Sequence, residues 1–242
     1  MLKKISIGAL VGVLGVLVAS LAWANPVADT TLSLEAKPTS TKGGTSDKPR
    51  KQGLSVTFTG GTKSGTGQPS NTTQIEFTLP AEWKINTKKW PQAATCDGTK
   101  ADSDKSLCPK GSKVGSGSSQ AKAANGAITQ NLAVTAYVLE GGNLGFFVEG
   151  STPVEVAAML KGRIKGRKLT VPIPSNIQEP APGVLTGITL LKTSLGGSIK
   201  NKGTNVNLLE SVGCKNKKWN FNSKFVYRDG SLTDGDDAKC VK

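Results

Sequence analysis

Beyond its first two dozen residues this chain almost never repeats apolar side chains at i, i+3, i+4 and i+7. It alternates them instead, and a period of two confines a chain to β architecture. Thr31-Leu32-Ser33-Leu34, Leu54-Ser55-Val56-Thr57-Phe58-Thr59 and Gln74-Ile75-Glu76-Phe77-Thr78-Leu79 each place apolar residues on one face and polar residues on the other, the pattern of a half-buried strand. The strongest case is 219–227, where Trp219, Phe221, Phe225 and Tyr227 share a face opposite Asn220, Asn222 and Lys224. Residues 132–139 and 144–148 are apolar runs around Glu140-Gly141-Gly142-Asn143, which has tight-turn chemistry and predicts a hairpin. A second hairpin is expected from 153–160 and 168–173, with Gly162 and Gly166 in the connection, and two further strands from 184–195 and 206–212.

About ten short strands punctuated by 29 glycines and 12 prolines predict an all-β fold. The expected form is an antiparallel β-sandwich, Greek-key or immunoglobulin-like, because a sheet with one apolar face must bury it against another layer; a closed β-barrel is the alternative. No Pro- or Ser-rich linker and no clear repeat interrupts the chain after about residue 51, so 25–242 reads as one domain, with an exposed loop near 39–51.

Residues 1–24 read as a secretory signal peptide: Lys3 and Lys4, an apolar run over 5–21, then Ala22-Trp23-Ala24. Cleavage there predicts a protein that is secreted or held at the cell surface, with no membrane span left afterwards. The remaining chain has four cysteines, Cys96, Cys108, Cys214 and Cys240, and an exported chain with an even count pairs them. Three connectivities are possible; Cys96–Cys108 and Cys214–Cys240 close local loops and need no distant segments to meet. Each bridge of this span contributes roughly 3 kcal/mol in the loop-entropy account. Spacings of 12 and 26 do not resemble the close cysteine pairs of a structural zinc site.

The stretch Cys108-Pro109-Lys110-Gly111-Ser112-Lys113-Val114-Gly115-Ser116-Gly117, preceded by Phe77-Thr78-Leu79-Pro80, Asn86 and Trp90, resembles a family of exported actinobacterial proteins with no assigned activity. Cys214, Lys218-Trp219-Asn220-Phe221, Tyr227-Arg228-Asp229-Gly230 and Cys240 are similar to that family's closing pattern. The resemblance implies a secreted β-rich domain with locally paired cysteines and brings no catalytic residues. The chain departs from the pattern in being richer in lysine over 161–168.

Histidine is absent, which removes Ser-His-Asp and Cys-His nucleophiles and most catalytic zinc sites. Ser119-Gln120-Ala121-Lys122 matches S-x-x-K, but that motif needs a helix, and 112–124 reads as a small-residue strand or loop. Glu140, Glu149 and Glu155 gather around the first hairpin and would have to share a cleft to act as a glycosidase pair. The acidic run from Asp229 to Asp237 lacks the ligand register of a calcium loop and reads as a turn before the last strand. Neither a P-loop nor a dinucleotide fingerprint occurs in a strand-to-helix setting, and no cofactor or metal is expected. Trp83 and Trp90 could form a sugar-stacking surface or cap the edge of the sheet; the scarcity of aromatics favours the cap.

Charge is the feature that stands out. Without Lys3 and Lys4 the chain keeps 29 of its 31 basic residues against 17 acidic ones, a net of +12. Lys161, Arg163, Lys165 and Arg167 alternate with Gly162, Ile164 and Gly166, so an extended chain projects all four from one face. Such a stripe attracts anionic envelope polymers or glycans, while a high net charge by itself also serves solubility. No aromatic lies within 161–168, which argues against specific nucleic-acid binding. The sequence therefore predicts an exported, non-enzymatic β protein with a structural or binding role, with a polyanion- or glycan-binding module and a carboxylate-dependent glycan-active enzyme as alternatives. The oligomeric state is left open.

Overall fold

The computed structural model describes residues 26–65 and 67–242, so the predicted signal peptide lies outside the described residues. Eleven strands form one antiparallel sheet. In chain order they are β1 (Thr30–Pro38), β2 (Leu54–Thr62), β3 (Thr72–Thr78), β4 (Lys113–Ala123), β5 (Ile128–Leu139) and β6 (Asn143–Gly150). They continue as β7 (Val156–Lys165), β8 (Lys168–Pro172), β9 (Thr186–Leu195), β10 (Lys218–Tyr227) and β11 (Gly230–Lys239). The spatial order is β1-β2-β9-β4-β5-β6-β7-β8-β3-β10-β11. β4 to β8 are a meander, and β9 crosses back to lie between β2 and β4.

The sheet wraps until its two ends meet. At the seam the Leu34 amide donates to Asp234 Oδ2 at 2.6 Å and the Ala36 amide to Asp236 Oδ2 at 2.7 Å. Asp234 and Asp236 stand in register opposite Ser223 and Phe221, on the inner face of β11. Their carboxylates take the place of ladder carbonyls, and inward-pointing charge is a known way to keep a sheet edge from pairing with another chain. The antiparallel all-β class expected from the alternation is therefore what the chain forms, wrapped almost to closure as in the barrel alternative.

The strand at 219–227 behaves as its alternation predicts: Trp219, Phe221, Phe225 and Tyr227 are buried while Asn220 and Asn222 are exposed. The second hairpin is displaced. β7 runs on through Lys165, and the reversal falls at Gly166-Arg167, where Gly166 takes φ +62°, a value that favours glycine.

One end of the barrel is plugged. A small sheet of Arg50–Gln52, Leu209–Ser211 and Trp83–Ile85 lies there. Trp83 packs edge-on against Trp219 and Phe221, and the Cys214–Cys240 bridge ties the start of β10 to the end of β11. The 39–51 loop is largely exposed and is pinned to the C-terminus by the Gly43 amide donating to the Val241 carbonyl at 2.7 Å.

The Cys96–Cys108 bridge closes a loop on the outside of β5, β6 and β7. Cys96 and Ala101 bury Tyr137, Leu139, Phe147 and Met159 in a small second cluster there. Within this loop Asp97 accepts from the Thr99 and Lys100 amides and Asp104 from the Ser106 amide. Backbone donors to Asp97, and the hydroxyl and amide of Ser106 at Asp104, hold both carboxyls below the usual aspartate range.

Candidate functional site

The barrel interior is filled unevenly. On one side Phe58, Phe77, Phe221 and Phe225 interlock, with ring centroids 5.2 Å apart for Phe58 and Phe225 and 6.0 Å apart for Phe77 and Phe221. On the other side lies a cavity of about 70 Å³. Its walls are Val134 of β5, Phe146 and Val148 of β6, Leu160 of β7, Leu169 and Val171 of β8, and Leu191, Thr193 and Leu195 of β9, with Val56, Phe58, Ile75 and Phe77 closing it.

Register explains the empty volume. Gly117 of β4 pairs with Thr193 on one side and Val134 on the other, and Gly115 pairs with Leu195 and Ala136. At these two positions β4 contributes no side chain to the wall. Neither glycine can be exchanged freely: a Cβ at Gly117 would stand 1.9 Å from the Lys192 carbonyl oxygen, and one at Gly115 2.0 Å from that of Ser194. Close approach of β9 therefore requires glycine at both positions, and the cavity follows from it.

Thr193 is the polar member of this wall. Only 6% exposed, its hydroxyl has no hydrogen-bond partner. An unpaired buried hydroxyl costs roughly 1–3 kcal/mol. A water would find a single polar partner in the cavity where it needs two to four, so hydration does not relieve the cost. Gln52 Oε1, Gln68 Oε1, Trp83 Nε1 and the Tyr227 hydroxyl are also unpaired among the described residues, but none of them lines the cavity.

The end of the barrel opposite the plug carries a second recess, of about 300 Å³. Ile128 and Leu132 of β5, Val156 and Ala158 of β7, and Thr186 of β9 form its floor, and Val154, Ile177, Pro180 and Val184 its rim. Leu132 and Ala158 each precede by two residues a cavity-lining residue of the same strand, Val134 and Leu160. Along two walls, mouth and cavity are thus one inward-facing position apart, roughly 7 Å. The short helix Ser175–Gln178 is held over this end by Asn71 Nδ2, which donates to the carbonyls of Gln178 and Thr186, both at 2.9 Å.

No family model, curated protein or solved structure matches this chain.

Both predicted disulfides are formed. The basic stripe is shorter than its spacing suggests. Lys161, Arg163 and Lys165 project from the outer face of β7, exposed. Arg167 lies beyond the Gly166 turn, and its Nη1 donates to the Leu79 carbonyl at 2.7 Å. Lys161 is paired with Asp102 at 3.1 Å, and next to the stripe Lys168 is paired with Glu76 at 2.5 Å. Among the described residues Arg163 and Lys165 have no ion pair.

The three glutamates do not converge. Glu149 is ion-paired with Lys105, Glu155 lines the mouth, and Glu140 sits in the turn at the other end of β6, roughly 20 Å along the strand from Glu149. Ser119 hydrogen-bonds the Leu190 carbonyl at 3.0 Å from a strand, where Lys122 three positions on takes the opposite face. In the acidic run, Asp234 and Asp236 hold the seam, Asp229 accepts from Ser70 Oγ at 2.6 Å, and Asp237 pairs with Lys218 at 2.5 Å. That lysine, with Asn220, keeps the Asp237 carboxyl below its ordinary range. Trp83 and Trp90 are 1% and 6% exposed, so neither offers a stacking face.

The interior cavity is the feature that the sequence reading missed. The sign that could have found it is the Gly115-Ser116-Gly117 stretch within a run that otherwise reads as a strand.

Proposed function

We propose that this chain is an exported, non-enzymatic binding protein whose barrel interior takes a small apolar ligand through the mouth framed by Val154, Val156 and Val184. The single observation that carries this reading is the apolar cavity of about 70 Å³ inside the barrel, one inward-facing position along two strands from the recess at the end opposite the plug. Cores close-pack to near crystal density, and an apolar void of this kind forfeits dispersion contacts that a ligand would restore. Export is supported by the leader-like first 24 residues and by two disulfides, which persist in oxidising compartments. No helix among the described residues is long and apolar enough to cross a membrane.

The experiment is a titration of the oxidised mature protein with n-hexane, followed through the methyl resonances of Val134, Leu160 and Leu191. Saturable shifts confined to these methyls are expected, and Val134→Phe, which fills the cavity, removes them while the fold persists. Hexane-independent spectra of a folded wild type would end the reading.

A second reading, anionic envelope polymers or glycans held by the outer face of β7, is favoured by the two exposed cations without an ion pair, Arg163 and Lys165. It predicts retention on isolated envelope material that falls steeply between low and moderate salt and is lost when both are changed to Ser. Retention indifferent to salt and to these changes would leave the charge as a solubility device.

A further inference from the structure

We infer that the ligand of the interior is an uncharged, unbranched alkyl compound with a single oxygen, seated with that oxygen on Thr193 Oγ1 and its chain running out to the mouth. The inference rests on the reading of the interior as a ligand site and adds the chemistry of what fits it.

Size sets the first limit. A cavity of about 70 Å³ is roughly half the 150 Å³ of a cavity that admits benzene, so a ligand of six heavy atoms seated in it reaches beyond it toward the mouth. Depth sets the second. From Val134, in register with Thr193 through Gly117, to Ile128 at the mouth is six residues of β5, or roughly 20 Å along the strand. An extended chain can span that reach and a compact ring cannot. Polarity sets the third. Every other residue lining the cavity is apolar, so a charged group would be buried there without a counter-charge, and a second polar atom would have nothing to bond.

One hydroxyl, however, is present and unpaired. Thr193 Oγ1 can donate to or accept from one ligand oxygen, which makes an alcohol, ketone or ether oxygen the complement of this wall. The polar residues Gln130, Glu155 and Asn176 stand at the mouth, outside the cavity. They leave the ligand's outer end in a mixed environment.

The test compares 1-pentanol with n-hexane, chains of equal length that differ in the terminal oxygen, on the oxidised mature wild type and on Thr193→Val and Thr193→Ser. Affinities are read from the methyl resonances of the cavity wall. In Thr193→Val, which keeps the side-chain shape, 1-pentanol is expected to weaken by about fivefold relative to n-hexane, the size of one net hydrogen bond. Thr193→Ser is expected to keep the wild-type ratio, and cyclohexanol is expected to bind more weakly than 1-pentanol. If both chains bind and Thr193→Val leaves their ratio unchanged, the hydroxyl is not used and the inference falls while the apolar-ligand reading stands. Cyclohexanol bound as tightly as 1-pentanol would likewise overturn the unbranched chain. If neither chain moves a cavity methyl in the folded wild type, the reading of the interior fails and the inference with it.

Discussion

The two sides of this barrel solve the same packing problem in opposite ways. Where β10 lines the interior, aromatic rings fill it: Phe225 touches both Phe58 and Tyr227, with centroids 5.2 and 6.3 Å away, and Phe221 bridges Phe77 and Trp83. Where β4 lines it, Gly115, Gly117 and Ser119 stand in the wall, and aliphatic side chains from β5 and β9 do not reach across. Large rings close one side into a rigid core. Small residues on the other side let strands crowd together while leaving the space between them empty. The difference separates what holds the barrel up from what it can hold.

The comparison breaks most directly at Phe225, which is 1% exposed. Phe225→Ala opens a void inside the packed side and is expected to cost about 3–5 kcal/mol, read as a drop in the urea midpoint. A loss below 1 kcal/mol would mean that the aromatic side is as loosely filled as the cavity side.

The seam comes next. Asp236 accepts the Ala36 amide at 2.7 Å, so Asp236→Ala leaves a part-buried N–H without its acceptor and is expected to cost roughly 1–3 kcal/mol in chemical denaturation. Asp236→Asn keeps an acceptor oxygen and is expected to cost less. Because the seam joins β1 and β11, hydrogen exchange of the Leu34 and Ala36 amides should accelerate in the Ala variant before that of β5 and β6. Uniform acceleration would show that closure and core melt together.

Much of the packed side was legible in the sequence, because a strand such as 219–227 states its buried face outright. The rest was not, for identifiable reasons. β11 reads as an acidic turn, since Asp234 and Asp236 break the apolar alternation on the very face that points inward; their partners are amides two hundred residues away. β4 carries too few apolar residues to separate strand from loop by period. Its role emerges only when β9 and β5 are set on either side of it. The cavity is a property of that three-strand register, which no local pattern encodes. The basic stripe shows the reverse: its spacing predicts one face for Lys161, Arg163, Lys165 and Arg167, but the chain turns at Gly166 and takes Arg167 away to the Leu79 carbonyl.

A smaller effect distinguishes the sides through pH. Burial pushes the Tyr227 hydroxyl from its ordinary 10.0 up to about 12. The unfolded chain therefore releases this proton first, and the stability due to a neutral Tyr227 is complete below pH 10 and lost as pH rises from 10 towards 12. Melting temperature should fall over that window in the wild type and fall less in Tyr227→Phe. Equal alkaline slopes would place the phenol in contact with solvent.

The smallest effect, and the one that bears most closely on the empty side, is Thr193→Val. Without ligand the wild-type hydroxyl is buried and unpaired, so replacing it by a methyl of the same shape removes a desolvation cost and breaks no bond. The variant is expected to be more stable than the wild type by about 1 kcal/mol, at the low end of the cost of an unsatisfied buried polar group. A core optimised only for stability would carry valine at this position. Measured stabilisation would mean that the barrel keeps a costly hydroxyl beside an empty space, as a binding site does. Destabilisation would mean that Oγ1 has a partner in solution and serves the fold rather than a ligand.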